Sequence, residues 1–328
     1  MRPPEFWQKP HSAPGIRARM LAPLAAIAAR LTARRVARPA DITPDVPVIC
    51  IGNINMGGTG KTPVTIALAE RLMQRGQKVS VVTRGHGGSE AGPLRVDPRQ
   101  HTADMVGDEA LLHAAFTTTI VARNRAEGVQ AVTDAEVILM DDGHQNPSVA
   151  KSLSVVVVDA AKGFGNGRVF PAGPLREPVV AGLARADLLI SVGATSDQMR
   201  FAENWGDVIT IPHVTARLEP LATGMDWAGL RVVAFAGIGD PARFFATLDD
   251  LGAERAESLA LDDHQQISDA LFKRLLARAE ALGAQLVCTE KDAVRLSAEA
   301  RSQVLSVPVR LVVTDWSELD SKLADLDL

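Results

Sequence analysis

The sequence predicts a doubly wound α/β protein with a mainly parallel sheet, because strand-like and helix-like segments alternate from residue 48 onward. Several strand-like runs, such as the four valines at 155–158, are apolar on both faces, which is typical of central parallel strands covered by helices. The chain has 328 residues, 46% of them hydrophobic, which is enough for one large or two ordinary domains. We therefore expect a large sheet and a second, smaller α/β domain.

Short apolar runs predict the strands, and several of the segments between them predict helices. Strands are predicted at 48–51, 78–83, 118–122, 137–140, 153–158, 188–192, 208–211, 231–236, 285–288 and 307–313. Helices are predicted at 63–74, 108–115 and 124–133. Pro220, Gly224 and Gly229 interrupt the pattern. We therefore predict a larger domain over 41–222 and a smaller α/β domain over 223–328.

The first 40 residues predict a basic amphipathic helix. No acidic residue occurs between Glu5 and Asp41, whereas six arginines do: Arg17, Arg19, Arg30, Arg34, Arg35 and Arg38. The apolar run at 21–29 is far shorter than the roughly 20 residues that span a bilayer, and the arginines after it do not fit a secretory cleavage site. We expect the helix to lie in the interface of an anionic membrane, with Pro23 kinking or dividing it. An ordinary surface helix is the alternative.

The remaining composition excludes little else. The net charge of −4 gives no reason to expect a nucleic-acid partner. Cys50 and Cys288 lie in apolar strand-like runs without a second cysteine at metal-ligand spacing, so we predict buried free thiols in a reducing compartment.

A glycine-rich loop follows the first strand and precedes a helix. Its residues are Gly57, Gly58, Thr59, Gly60, Lys61 and Thr62. Small residues let backbone N–H groups face phosphates, the lysine reaches the β- and γ-phosphates, and the threonine would bind Mg²⁺. The loop thus predicts a P-loop NTPase-like fold that binds ATP, although Asn55 stands where the strict pattern has glycine.

Other P-loop classes fit less well. Met56 occupies the position where partitioning ATPases carry a signature lysine, and in Thr289-Glu290-Lys291-Asp292 the Lys and Asp are adjacent, which is the wrong spacing for reading guanine. A small-molecule kinase or ligase remains.

Carboxylates elsewhere supply candidates for the chemistry. Asp141 and Asp142 follow an apolar strand, where a parallel sheet presents ligands for Mg²⁺. Asp108 opens a helix and by itself fits a helix cap equally well. His264 stands alone in sequence, and the proline-rich segment 170–178 displays Arg176 beside Glu177.

These segments together resemble the tetraacyldisaccharide 4′-kinase family. The matching motifs are Gly52-Asn53 with the glycine loop, Thr83-Arg84-Gly85, Gly107-Asp108-Glu109, Asp141-Asp142-Gly143-x-Gln145, residues 171–178, residues 235–240, Asp263-His264 and Thr289-x-Lys291-Asp292. They occur in the order of the family and cover residues from about 48 to 292.

The resemblance implies that the γ-phosphate of ATP moves to the 4′-hydroxyl of an acylated glucosamine disaccharide 1-phosphate in lipid A biosynthesis. It implies a peripheral enzyme on the cytoplasmic face of the bacterial inner membrane, bound through the N-terminal helix. The implied roles by residue are catalysis for Asp108 and His264; nucleotide binding for the loop and Arg125; metal binding for Thr62, Asp141, Asp142 and Glu177; and substrate contact for Arg176, Asn53 and Gln145.

Two departures from the family pattern stand beside Asp142. His144 and Asn146 flank Gln145 where the family usually has Phe and His, and Lys151-Ser152 replaces an Arg-Asp pair. A role for the family histidine is therefore not transferred to this chain. Two alternatives to a lipid kinase stay open from the residues: a P-loop kinase or ligase of a soluble metabolite, and a nucleotide-switched interaction protein.

Overall fold

The computed structural model describes residues 4–328 and contains two sheets. Thirteen strands occur in this part of the chain: β1 (Val48–Gly52), β2 (Val79–Thr83), β3 (Leu94–Arg95), β4 (Thr118–Val121), β5 (Val137–Asp141), β6 (Leu153–Asp159), β7 (Leu188–Val192), β8 (His213–Pro220), β9 (Arg231–Ala236), β10 (Glu254–Ala260), β11 (Gln285–Thr289), β12 (Leu305–Val307) and β13 (Val309–Val313).

Twelve α-helices connect these strands within the described residues: α1 (Gly15–Val36), α2 (Lys61–Gln74), α3 (Ala103–Val106), α4 (Asp108–Ala114), α5 (Arg125–Gln130), α6 (Val179–Leu183), α7 (Thr195–Trp205), α8 (Pro241–Asp250), α9 (Asp269–Ala281), α10 (Glu290–Ala293), α11 (Ala298–Arg301) and α12 (Ser317–Ala324). Short 3-10 turns lie at Glu5–Gln8 and Gly206–Val208.

The larger sheet has nine strands in the order β13-β8-β7-β6-β1-β5-β2-β4-β3. Its pairs are parallel except at the two edges, where β3 and β13 run antiparallel to their neighbours. Strand β1 is central, between β5 and β6, and is buried along its whole length. The carboxyl end of a central parallel strand is the place where doubly wound sheets bind ligands, and the glycine loop begins there. The predicted fold class is confirmed.

The smaller sheet has four parallel strands in the order β10-β9-β11-β12. Helix α9 covers one face, where Phe272 and Leu275 pack against Phe235 and Cys288. Strand β10 lies at the edge and is largely exposed. The sheet therefore has its own core, separate from the cores of the larger sheet.

One predicted strand is wrong in a way that revises the domain division. The run at 307–313 is two strands, because Pro308 interrupts it: β12 completes the small sheet and β13 pairs with β8 in the large one. Helix α12 then packs on the large core through Leu319 and Leu323. The smaller unit predicted as 223–328 therefore ends near residue 307, and the C-terminus returns to the larger unit.

The predicted strand at 208–211 is also absent. Val208, Ile209 and Ile211 pack against a cluster that includes Phe201, instead of entering the sheet. Pairing with β7 begins one residue after Pro212, at His213. Apolar residues that fill a gap beneath a helix give the same short sequence signal as a buried strand.

Helix α1 runs without interruption from Gly15 to Val36, so Pro23 does not divide it. Ala18 and Ala25 are buried, and Ala25 packs against the large unit. The larger apolar side chains face away from the body, with 54% to 75% of their surface exposed: Ile16, Met20, Leu24, Ile27 and Leu31. Within residues 4–328, no helix is both long enough and apolar enough to cross a membrane.

Candidate active site

The glycine loop adopts the geometry that its sequence predicts. Gly57 and Gly60 have φ values of +101° and +92°, which residues with a side chain rarely adopt. The Asn53 amide donates to the Gly57 carbonyl at 3.2 Å and to Thr59 Oγ1 at 3.1 Å. Asn53 is fully buried, so the structure places it behind the loop as a support. Helix α2 begins directly at Lys61, and its first N–H groups face the loop.

Lys61 lies beside Asp142, the carboxylate that directly follows β5. Its Nζ atom is 3.5 Å from Asp142 Oδ1, and Arg176 Nη1 donates to the same oxygen at 2.8 Å. Burial alone would raise the pKa of Asp142, but the charges of Lys61 and Arg176 lower the pKa to about 2. Asp142 is thus an ionised carboxylate between two cations at the loop.

A chain of hydrogen bonds extends from Arg176 into the protein. Gln145 Oε1 accepts from Arg176 at 3.1 Å, while its Nε2 donates to the Asn53 carbonyl at 2.7 Å and to Glu177 Oε1 at 2.9 Å. Arg185 donates to both oxygens of Glu177, at 2.8 and 2.9 Å. The structure therefore places Glu177 in a buried ion pair and Gln145 between the glycine loop and Arg176.

Asp141, the residue before Asp142, is buried. Its Oδ2 atom lies 3.4 Å from both Thr83 Oγ1 and His113 Nε2, and Oδ1 meets no donor in the described part of the chain. Arg125 is buried as well, and donates to the backbone carbonyls of Ala122 and Asp141. The structure thus places Arg125 beneath the end of the sheet, where it fixes the residue before Asp142.

The two departures from the family pattern have structural roles. His144 is buried, and its Nε2 atom lies 2.9 Å from the Gly182 carbonyl. Burial, reinforced by the charge of Arg185, lowers the pKa of His144 to about 4, so the ring is neutral. Lys151 donates to the Gly143 and His144 carbonyls at 2.8 and 3.0 Å and so stabilises the turn that these two residues form after Asp142.

Asp108 and His264 meet although 156 residues separate them. His264 Nδ1 is 3.0 Å from Asp108 Oδ2, and the cations of Lys291 and Arg295 lie 3.9 and 3.5 Å from the same oxygen. Burial would raise the pKa of Asp108, but the hydrogen bond from His264 and these charges lower the pKa to about 2. Asp108 belongs to the large unit and the other three residues to the small one, so the pair forms only where the units meet.

A cleft of about 490 Å³ separates the two units at the glycine loop. Residues 58–63 line one wall, and Arg243, Phe244 and Lys291 are among those that line the other. Glu109, the neighbour of Asp108, also contributes to the lining. A cleft of this size with apolar walls and a phosphate loop at its base suits a nucleotide.

A second cleft of about 530 Å³ lies on the other side of the loop. It shares Gly58 and Thr59 with the first, and its remaining wall includes Trp7, Met56 and Asp263. The two clefts also share five lining residues outside the loop, so they adjoin, and Asp263, the residue before His264, lines the second.

Comparison with known proteins identifies the family of this chain. The family model described as tetraacyldisaccharide-1-P 4′-kinase matches residues 17–326. The chain belongs to the tetraacyldisaccharide 4′-kinase family. It is accordingly a kinase of lipid A biosynthesis that phosphorylates a lipid A precursor.

Relatives named tetraacyldisaccharide 4′-kinase match this family member over nearly its whole length. The protein from Dinoroseobacter shibae is 59% identical over 99% of this chain and 98% of its own, and that from a Jannaschia species is 57% identical over 98% of each. A crystal structure from Aquifex aeolicus, described as the apo form of LpxK in complex with ATP, has a TM-score of 0.74 at 21% identity. It covers 95% of this chain and 99% of the other, and shows that the fold is shared.

Sequence reasoning missed several residues of the site in this kinase. His113 contacts Asp141, Arg185 holds Glu177, and Arg295 lies beside Asp108. Their partners are 28, 8 and 187 positions away in the chain, so no local pattern joins them. Of these three residues, only Arg295 could have been proposed from the sequence, because it lies four positions after Lys291, which belongs to a matched motif.

Proposed function

We propose that the chain transfers the γ-phosphate of ATP to the 4′-hydroxyl of a tetraacylated glucosamine disaccharide 1-phosphate, with Asp108 and His264 as the catalytic pair. The observation that supports this proposal is the contact between these two side chains, 3.0 Å apart where the two units meet, next to a cleft that the glycine loop and Lys61 line. A nucleotide-switched interaction protein has no need for such a pair, whereas a kinase needs a group that takes the proton of its acceptor.

The pair would take the proton of the acceptor hydroxyl as its oxygen forms a bond to the γ-phosphorus and the bond from that phosphorus to the β-phosphate oxygen breaks. ADP leaves with the electron pair of the broken bond. Because the pKa of Asp108 is about 2, its carboxylate is a weak base and best serves to orient and stabilise an imidazolium at His264. Lys61 and Arg176 would neutralise charge on the phosphates.

Mg²⁺ fits the residues at the loop. Among residues 4–328 no three His, Cys, Asp or Glu side chains converge on one point as a metal site. Mg²⁺ does not need such a cage, because it keeps several waters and takes one or two carboxylates together with phosphate oxygens. We propose that Thr62 and Asp142 would hold the ion, with Asp141 behind them, and that the ion would offset charge on the phosphates. Glu177 would instead support Gln145.

The second cleft would admit the sugar of the acceptor. It adjoins the glycine loop and contains Asp263, the neighbour of His264, so a hydroxyl in it has access to the pair. Trp7 lines the same cleft and lies on the N-terminal segment just before α1. The acyl chains would then extend toward the exposed face of α1.

Helix α1 would bind the membrane interface. Its exposed apolar residues lie within an arc of roughly 80° at 3.6 residues per turn. Exposed arginines border that arc, with Arg17 and Arg35 on one side and Arg19 and Arg30 on the other, and Arg34 lies within it at the last turn of the helix. An apolar stripe bordered by arginines is suited to an anionic membrane surface. We propose that the enzyme is peripheral, on the cytoplasmic face of the inner membrane.

Replacing Leu24 with glutamate is expected to lower partitioning onto anionic phospholipid vesicles by about 10- to 100-fold, because a leucine that enters the interface contributes roughly 1.5–3 kcal/mol. Vesicle sedimentation measures the effect. Met199→Glu is the matched control: Met199 is 59% exposed, Leu24 is 55% exposed, and Met199 lies on α7. Equal losses for the two variants would rule out α1 as the binding face.

The proposed reaction is tested by transfer of labelled γ-phosphate from ATP to an acylated glucosamine disaccharide 1-phosphate in detergent micelles. We expect transfer to this acceptor and negligible transfer to the deacylated disaccharide. Equal transfer to the deacylated acceptor would support a soluble-metabolite kinase. ATP binding without transfer to either acceptor would support a nucleotide-switched interaction protein.

A further inference from the structure

We propose that Arg295 is a positioning residue for the catalytic pair, which holds the turn that carries His264 and sets that turn against Asp108. The inference rests on the roles proposed above for Asp108 and His264. Sequence analysis assigned no role to Arg295, and Arg295 is not among the residues that line either cleft.

Every nitrogen of the Arg295 guanidinium has a partner. Nη2 donates to the Gly237 carbonyl at 2.8 Å and lies 3.0 Å from Asp292 Oδ1. Nη1 donates to the Gln265 carbonyl at 3.1 Å, and Nε donates to the Lys291 carbonyl at 3.2 Å. The side chain is only 7% exposed. A planar fork that is buried and bound at each end has one orientation, which suits it to fix other groups.

Two of these contacts define the backbone around His264. The Gly237 carbonyl that accepts from Arg295 also accepts from the His264 backbone N–H, at 3.1 Å, and Gln265 is the next residue. His264 has a φ of +57°, in the left-handed region that residues with a side chain adopt at a cost. Such a conformation persists only where its surroundings impose it. Arg295 binds on both sides of the strained residue and so helps to impose it.

The same guanidinium reaches the other unit. Its Nε atom is 3.5 Å from Asp108 Oδ2, the oxygen that His264 contacts. Arg295 therefore contacts both the backbone around His264 and Asp108, the carboxylate that pairs with the His264 imidazole. Lys291 Nζ is also near both members of the pair, 3.9 Å from Asp108 Oδ2 and 3.4 Å from His264 Nε2, but Lys291 lines the nucleotide cleft and donates to no backbone carbonyl of the His264 turn in the structure. Arg295, which is bound to the backbone on which His264 lies, therefore sets the distance between the pair.

The test uses the full-length enzyme in the acylated-acceptor transfer assay. Arg295→Gln is expected to lower kcat by about 10- to 100-fold, because a small misplacement of a catalytic group has costs of that order. The KM for ATP is expected to change by less than about twofold. Arg301→Gln is the control, since Arg301 donates to the Ala293 and Leu296 carbonyls in the same segment, away from the pair. Thermal unfolding verifies that each variant is folded.

Arg295→Lys separates positioning from charge. Lysine retains the cation near Asp108 but cannot bridge two carbonyls, so we expect kcat to stay lowered by about tenfold. Full recovery in Arg295→Lys, or normal kcat in Arg295→Gln, would overturn the inference. This variant also provides the test if glutamine at the buried site prevents folding.

A double-mutant cycle with His264→Ala gives a second readout. If Arg295 acts through His264, Arg295→Gln lowers kcat by less than about twofold in the His264→Ala background. A loss there as large as in the wild-type background would overturn the inference. Loss of turnover in His264→Ala with none in Arg295→Gln would overturn this inference alone. Near-normal turnover in His264→Ala would instead remove the proposed catalytic pair, and this inference with it.

Discussion

Replacing Asp108 with asparagine is expected to lower kcat by roughly 10²-fold or more, the usual scale for the loss of a positioned acid–base group, while ATP binding persists. Asparagine retains the shape of the side chain but not the charge that stabilises an imidazolium at His264. In the wild type, Asp108 is ionised at neutral pH because its pKa is lowered to about 2. The measurement is steady-state transfer to the acylated acceptor, with nucleotide binding followed by calorimetry.

Asp104→Asn is the matched control for this change. Asp104 accepts a hydrogen bond from Gln266 at 2.8 Å, so it also joins the two units, but it does not contact His264 in the structure. Its asparagine variant should retain near-normal kcat. We further expect Asp108→Asn combined with His264→Ala to be no worse than either alone, because groups that act as one unit lose their effect together. Near-normal turnover of folded Asp108→Asn would refute the assignment.

Replacing Lys61 with alanine is expected to lower kcat by about 10²- to 10³-fold, the scale for removing one preorganised donor to a charged transition state. The lysine would leave Asp142, 3.5 Å away, when the β- and γ-phosphates arrive, and its loss removes a cation from the transferred group. Single-turnover transfer with saturating ATP separates this loss from weaker nucleotide binding.

Lys78→Ala is the control for Lys61→Ala. Lys78 pairs with Asp134 at 3.0 Å on an exposed surface, so its removal takes the same side chain from a place far from the loop. Only a small effect on kcat is expected, since this ion pair is exposed to solvent and contributes little. A Lys61→Ala enzyme that retained wild-type kcat at saturating ATP would show that the loop holds the nucleotide without taking part in transfer.

The sequence was sufficient for the central part of the fold. Strands β1, β5 and β6 are continuous apolar runs with every residue buried, so local composition and tertiary position agree. The glycine loop and the carboxylates after β5 were equally clear, because a parallel sheet brings the ends of neighbouring strands together.

Other elements could not be predicted from local pattern. Strand β10, with the sequence Glu-Arg-Ala-Glu-Ser-Leu-Ala, is an exposed edge strand that lacks an apolar run, and it was missed. Its pairing depends on β9, not on its own residues. The run at 307–313 was joined into one strand because both halves are apolar, and only their partners distinguish them.

The residues of the site also fall into two groups, those that a local motif predicts and those that it does not. Lys61 and Asp142 were found from their own motifs, whereas the contact between Asp108 and His264 was expected only through the family resemblance. The contact depends on how two sheets meet, which no periodicity encodes. Ligand contacts of Asn53, Gln145 and Arg125 stay predictions, and in the structure their side chains also hydrogen-bond within the protein, at the loop and at the end of β5.

The return of β13 to the large sheet gives the small sheet an unusual attachment. Pro220, the last residue of β8, pairs directly with Val309, the first residue of β13, so the two strands form a hairpin whose turn is replaced by the whole small unit. The small unit is thus a domain inserted at the tip of a hairpin, and two adjacent connections fasten it. Insertions with neighbouring ends are tolerated because the host fold needs only a short closure there. Rotation about this double connection is the simplest motion that would separate His264 from Asp108 without disturbing either core.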